Sequence, residues 1–141
     1  MPDVRIENIK DYLLEVTPGI FSRYPILFAY LYGSYAAELT HPFSDLDIGI
    51  YIENMPASKH LELELSISLE IDSKIEGKVG SEVRIINNLP LVIKGKIITD
   101  GVLIYSRNEV VRVDFETAVR SEYFDFLPVM HRYQRAYIDS I

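Results

Sequence analysis

Cysteine is absent from the 141 residues. That excludes a disulfide framework and any thiolate-bound metal, and it fits a reducing cytoplasm. No apolar run approaches the roughly 18 residues that a membrane span requires. The first residues also lack the layout of a secretory signal. A cytoplasmic protein without membrane association is therefore expected. Basic charge is scarce, with 14 Lys and Arg against 21 Asp and Glu and a net charge of −7. Affinity for nucleic acid rests on cations that displace counterions from phosphates, so direct nucleic-acid binding is disfavoured. A protein partner with a basic face suits this chain better. Internal repeats and low-complexity tracts are missing as well. What remains describes one ordinary globule: a hydrophobic share of 48% supplies one core, and the length suits a single domain over 1–141.

Ile6, Ile9, Leu13 and Val16 recur at spacings of three and four. This predicts an amphipathic first helix, ended by Pro18-Gly19. Ile26 to Tyr32 is a solid apolar run and reads as a buried strand. The segment 58–75 is ambiguous. Leu61, Leu63, Leu65, Ile67, Leu69 and Ile71 alternate as a strand would, but the length and the Glu, Leu, Lys and Ser content favour a helix. Glu82 to Ile86 alternates with Glu82 on the polar face, a third strand. Around Asp100-Gly101 two readings stay open: a hairpin turning at Asp-Gly, or a short helix from Pro90 followed by a strand at 102–105. Ser106-Arg107-Asn108-Glu109 has the capping-box form. Beyond it Phe115, Val119, Tyr123, Phe126, Met130, Tyr133 and Tyr137 mark a long C-terminal helix over about 107–139, with Pro128 inside it. The stripe reads first as a core face and also as a surface for docking a partner.

Chemistry concentrates between the first two strands. Gly33-Ser34 closes the apolar run, a short helical piece occupies 35–39, and Asp45-Leu46-Asp47 opens the alternating segment Ile48 to Ile52. Ser34 falls where the amides that begin a helix are free, a ready anion site. Asp45 and Asp47 stand two apart on a strand, so both carboxylates project from one face with their Cα atoms roughly 7 Å apart. A phosphate cradle facing paired carboxylates is what a metal-dependent nucleotide enzyme needs.

Gly33-Ser34, ten residues, then Asp45-x-Asp47 resembles the signature of the DNA polymerase beta-like nucleotidyltransferases. Size, the Glu82 strand and the run Tyr123-Phe124-Asp125-Phe126-Leu127-Pro128 resemble more narrowly the minimal nucleotidyltransferases, the MntA-type antitoxins encoded beside HEPN ribonuclease toxins. The resemblance implies an α/β fold, a small mixed sheet flanked by helices with a long C-terminal helix. It favours helix over strand for 58–75 and 90–99. It also implies adenylyl transfer from ATP to a tyrosine of the HEPN toxin, which silences it. By the same resemblance Gly33 and Ser34 match the phosphate-binding turn, Asp45 and Asp47 the metal ligands, and Glu82 the third carboxylate.

The expected chemistry has a physical logic. A tyrosine hydroxyl is only about 0.1% ionised at pH 7. Two Mg²⁺ ions meet that deficit, one lowering the nucleophile's pKa and one neutralising the leaving pyrophosphate. Such hard cations take oxygen ligands, which Asp45, Asp47 and Glu82 supply. Arg84, Lys59, Lys74 and Lys78 read as surface charges, and His41, His60 and His131 lack metal-like spacing. Tyr35, just after the turn, is placed to stack on a nucleotide. Two other functions fit the same residues: an antitoxin that neutralises by binding alone, and a nucleotidyltransferase acting on a small molecule.

Overall fold

A computed structural model describes residues 9–33, 45–75 and 80–140. In chain order these form α1 (Ile9–Phe21), β1 (Ile26–Tyr32), β2 (Leu46–Ile52), a 3₁₀ turn (Ala57–Lys59), α2 (His60–Lys74), β3 (Ser81–Ile85), α3 (Leu91–Asp100), β4 (Val102–Ser106) and α4 (Glu109–Asp139). The strands lie in the order β3-β2-β1-β4. β1 pairs antiparallel with β2 and with β4, while β2 and β3 run parallel. The sheet is therefore mixed, as expected.

Helices cover both faces of this sheet, which is why β1 reads as an unbroken apolar run rather than an alternating one. Ala29 and Leu31 join Ile48, Ile50 and Ile85 in a core shared with Leu13 and Phe21 of α1 and Ile67 and Ile71 of α2. Phe28 and Tyr30 face the other way, into a second core with Ile86 and Ile97, flanked by Val111 and Phe115 of α4. The Tyr30 phenol donates to Glu116 at 2.6 Å, and Glu116 also accepts from Arg112 one turn earlier on α4. This ties the long helix to the middle of the sheet.

The open question at 90–105 resolves as helix then strand. The amide of Gly101 bonds the Ile97 carbonyl at 2.8 Å and closes α3 directly before β4. The helical reading of 58–75 holds too, with an unexpected division of its apolar residues. Leu63, Ile67 and Ile71 are buried, whereas Leu61, Leu65 and Leu69 stay 55–70% exposed. Spacing by four selects every second member of the alternating row, so half of an apparent strand face is left outside.

Two boundaries differ from the expectation. Pro18 does not end the first helix, which continues through Pro18-Gly19 to Phe21. Burial of Ile20 and Phe21, worth about 1.5–3 kcal/mol each, offsets the roughly 3 kcal/mol cost of an interior proline. The Thr17 hydroxyl also donates to the Ile104 carbonyl at 3.1 Å, pinning this turn beneath β4. The buried stripe consequently reads Ile9, Leu13, Thr17 and Ile20, with Val16 only half-buried and Ile6 outside the described residues. At α4 the cap is Asn108, whose Oδ1 accepts from the Val111 amide at 3.1 Å. Ser106 instead ends β4. Pro128 lies within α4, and no described helix is long and apolar enough to cross a membrane.

Candidate active site

Three neighbouring strands bring the predicted residues together at one end of the sheet. Tyr32 of β1 pairs with Asp47 of β2, and Asp47 pairs with Glu82 of β3. One step further along, Tyr30, Gly49 and Arg84 form the next row on the same face. Because β2 and β3 run parallel, both begin at this edge, where their first acidic residues meet the end of β1. Asp45 lies just before β2 rather than on it, so only Asp47 is a strand residue, contrary to the expectation for the pair. The Leu46 amide donates to the Gly80 carbonyl at 2.9 Å, and a Cβ at Gly80 would lie 3.3 Å from Asp45 Oδ1. Asp45 is thereby held beside the start of β3.

Gly33 turns the chain out of β1 with φ of 75°, a region that disfavours any side chain. A Cβ there would approach Asp47 Oδ2 to 2.3 Å. The turn and the carboxylate are in contact through backbone alone. Ser34, the other half of the expected phosphate cradle, lies outside the described residues, as do Tyr35, His41, Lys78 and the segment 35–39 expected to be helical.

Burial holds the Asp47 carboxyl above the usual carboxylate range, and the charges of Glu82 and Asp45 push it the same way; the Arg84 guanidinium opposes them. Burial likewise raises the Tyr32 phenol, with Asp47 adding to the effect, while the charge of Arg84 works against it. Arg84 is thus half-buried in the acidic cluster and is not a surface charge. Its place two residues beyond Glu82, on the same strand face, was the signal available in the sequence. Lys59 and Lys74 are exposed, as expected. His60 bonds the Met55 carbonyl, and His131 is exposed on α4.

The donor set suits a hard divalent cation in kind, being all oxygen and mutually repelled. In arrangement it stands short of a finished cage, since among the described residues no three acidic or histidine side chains close into a cation-holding group. Beside Gly33 opens a cleft of about 450 Å³, walled by Tyr32, Ile93 and Ile97, with Lys96 and Asp100 on the same face of α3.

Residues 15–110 match the polymerase beta nucleotidyltransferase family, and the chain belongs to that family. Its fold is that of chains solved within toxin–antitoxin assemblies. A chain of a mutant MntA–HpeT complex shares 14% identity at a TM-score of 0.62, over 93% of this chain and 96% of the other. A chain of a toxin–antitoxin solved with AMP-PNP gives the same score and identity over 90% and 96%. A third comes from a complex of the tri-AMPylated Shewanella oneidensis HEPN toxin with its MNT antitoxin, with 15% identity, a TM-score of 0.60, and 93% and 97% coverage. No curated protein matches the chain in sequence.

Proposed function

We propose that this chain is a cytoplasmic antitoxin that transfers AMP from Mg·ATP to a tyrosine of a HEPN-type ribonuclease toxin and so neutralises it. The observation that carries this reading is the row Tyr32–Asp47–Glu82, with Asp45 beside it and the Gly33 backbone against Asp47. Family membership supports nucleotidyl transfer. Likeness of fold to chains from complexes with AMP-PNP and with an AMPylated toxin supports the choice of nucleotide and acceptor.

Asp45, Asp47 and Glu82 would hold two Mg²⁺ ions, which when bound lower the acceptor's pKa and neutralise the departing pyrophosphate. By the motif's resemblance, the turn that begins at Gly33 would offer backbone amides to the phosphates. The acceptor oxygen attacks the α-phosphorus, its bond forming as the bond to pyrophosphate breaks, and the phenol proton passes to Glu82 or to water. Arg84 would balance the carboxylates while the ions are absent. Incubating the purified chain with labelled ATP, Mg²⁺ and the toxin encoded beside it should label the toxin. Absence of label in a formed complex would overturn the proposal.

The carboxylates that stop short of a finished cage favour a second reading, neutralisation by occlusion alone. The Asp45→Ala, Asp47→Ala double variant separates the two. Under the proposal it binds the toxin and leaves it unmodified and active; under occlusion it neutralises as well as the parent.

A further inference from the structure

We infer, on the nucleotidyl-transfer reading above, that Tyr32 is a positioning residue: lying across Gly49, it holds Arg84 against the carboxylates as a built-in counter-ion that a divalent cation must displace. The strand register supplies the geometry. Asp47 of β2 stands opposite Glu82 of β3, and in the next row Gly49 stands opposite Arg84 on the same face. Tyr32 starts in the row of Asp47, yet its ring leans over Gly49 into the row of Arg84. A Cβ on Gly49 would lie 3.5 Å from Tyr32 Cε1 and 2.7 Å from Ile86 Cγ2, so ring and isoleucine together roof the glycine. The phenol thereby arrives beside Arg84, which acts on it first through its charge and then through a hydrogen bond.

Charge gives the second argument. Like charges directly opposite on neighbouring strands, with Cβ atoms about 5 Å apart, repel each other. Among the described groups acting on Asp47, Asp45 and Glu82 disfavour its ionised form and Arg84 favours it. Arg84 thus does for the folded chain part of what a bound cation would do. A guanidinium keeps its charge at every pH a protein tolerates, so the loss of a proton cannot remove it. Only displacement frees the carboxylate oxygens that it faces.

Two consequences follow for loading. A divalent ion approaching the carboxylates is repelled by Arg84, and the half-buried setting screens that repulsion less than water would. Free Mg²⁺ therefore binds weakly, whereas an ion arriving with a triphosphate brings the negative charge that offsets the guanidinium. An arginine side chain left to itself spreads over many rotamers. The Tyr32 phenol narrows that spread to the carboxylate side, which sets how strongly Arg84 competes.

The test is titration calorimetry of the whole chain with Mg²⁺ alone, without nucleotide. Arg84→Met, of similar length and without charge, should bind Mg²⁺ at least about tenfold more tightly than the parent. Arg84→Gln should do the same, so that one ill-folded variant does not decide the matter. Tyr32→Phe keeps the ring and the net charge, and should tighten binding about threefold. On top of Arg84→Met it should add nothing, because it acts only through Arg84. Lys59→Met, which removes an exposed charge elsewhere, should stay within about twofold of the parent. If both Arg84 variants fold by circular dichroism and bind Mg²⁺ no more tightly than the parent, the counter-ion is overturned. If Tyr32→Phe leaves the affinity unchanged, or acts equally with and without Arg84, its positioning role is overturned. Either failure leaves nucleotidyl transfer standing, since that reading is tested separately by label on the toxin from the parent chain.

Discussion

At Gly33 a single methyl group tests the candidate site. The positive φ and the 2.3 Å approach to Asp47 Oδ2 mean that Gly33→Ala must move either the turn or the carboxylate. Displacements of about 1 Å at a reacting centre cost on the order of 100-fold in rate. Under the proposed function, Gly33→Ala should therefore lose about that much labelling of the toxin while remaining folded by circular dichroism. Far from this centre, Glu70 offers a test of pH dependence. It accepts from the Tyr24 phenol at 2.6 Å and pairs with Arg23, and the Tyr24 hydrogen bond leads in holding its carboxyl below the usual range. A lowered folded pKa contributes stability that is present above the unfolded value and is lost as pH falls through the folded one. Glu70→Gln should cost up to about 1 kcal/mol at pH 7, since Arg23 is largely exposed. In urea titrations that difference should close as pH drops below about 4.3, the ordinary range for glutamate.

Elements meet closely where α3 packs against α4. A Cβ on Gly95 would sit 2.3 Å from the Tyr123 ring, so the α3 backbone lies directly against that ring. Alanine is the better helix former by about 1 kcal/mol. Gly95→Ala should nonetheless destabilise by about 1–3 kcal/mol in chemical denaturation, because overpacking against a buried ring outweighs propensity. Such contacts explain which elements could be read from sequence. The apolar run of β1, the alternation of β3 and the four-residue rhythm of α4 each state their period locally. The end of α1 did not, because Ile20 and Phe21 continue the helix past Pro18 by burying themselves under strands distant in sequence. The choice between hairpin and helix at 90–105 was equally nonlocal, settled by Ile97 and Gly95 finding places against β1 and Tyr123. Within the site, Gly33, Asp47 and Glu82 fall into one constellation, whereas Arg84, which shares the strand face of Glu82, is set against Asp47 only by the register of β2 and β3.

Over the whole molecule the long helix divides into two parts. Val119 and Tyr123 are buried, while Tyr133 and Tyr137 are 70–75% exposed and Ile138 is 68% exposed. The final turns of α4 thus contribute little to the core. Tyr133→Ser and Tyr137→Ser should each change folding stability by less than about 0.5 kcal/mol in denaturant titrations. Under the proposed function the same pair should weaken association with the toxin, measured by calorimetry on the purified proteins.

The sheet pairs Phe28 with Ser106, although every carboxylate of the candidate site precedes residue 83. On the ribosome, a nascent chain halted before α3 would already carry its full acidic set, with β1 exposing a bare edge and the cleft lacking a wall. Unpaired edges of this kind invite intermolecular pairing. Synthesis of α3 and β4 therefore governs both when the newborn protein can begin work and how long it stays vulnerable to aggregation.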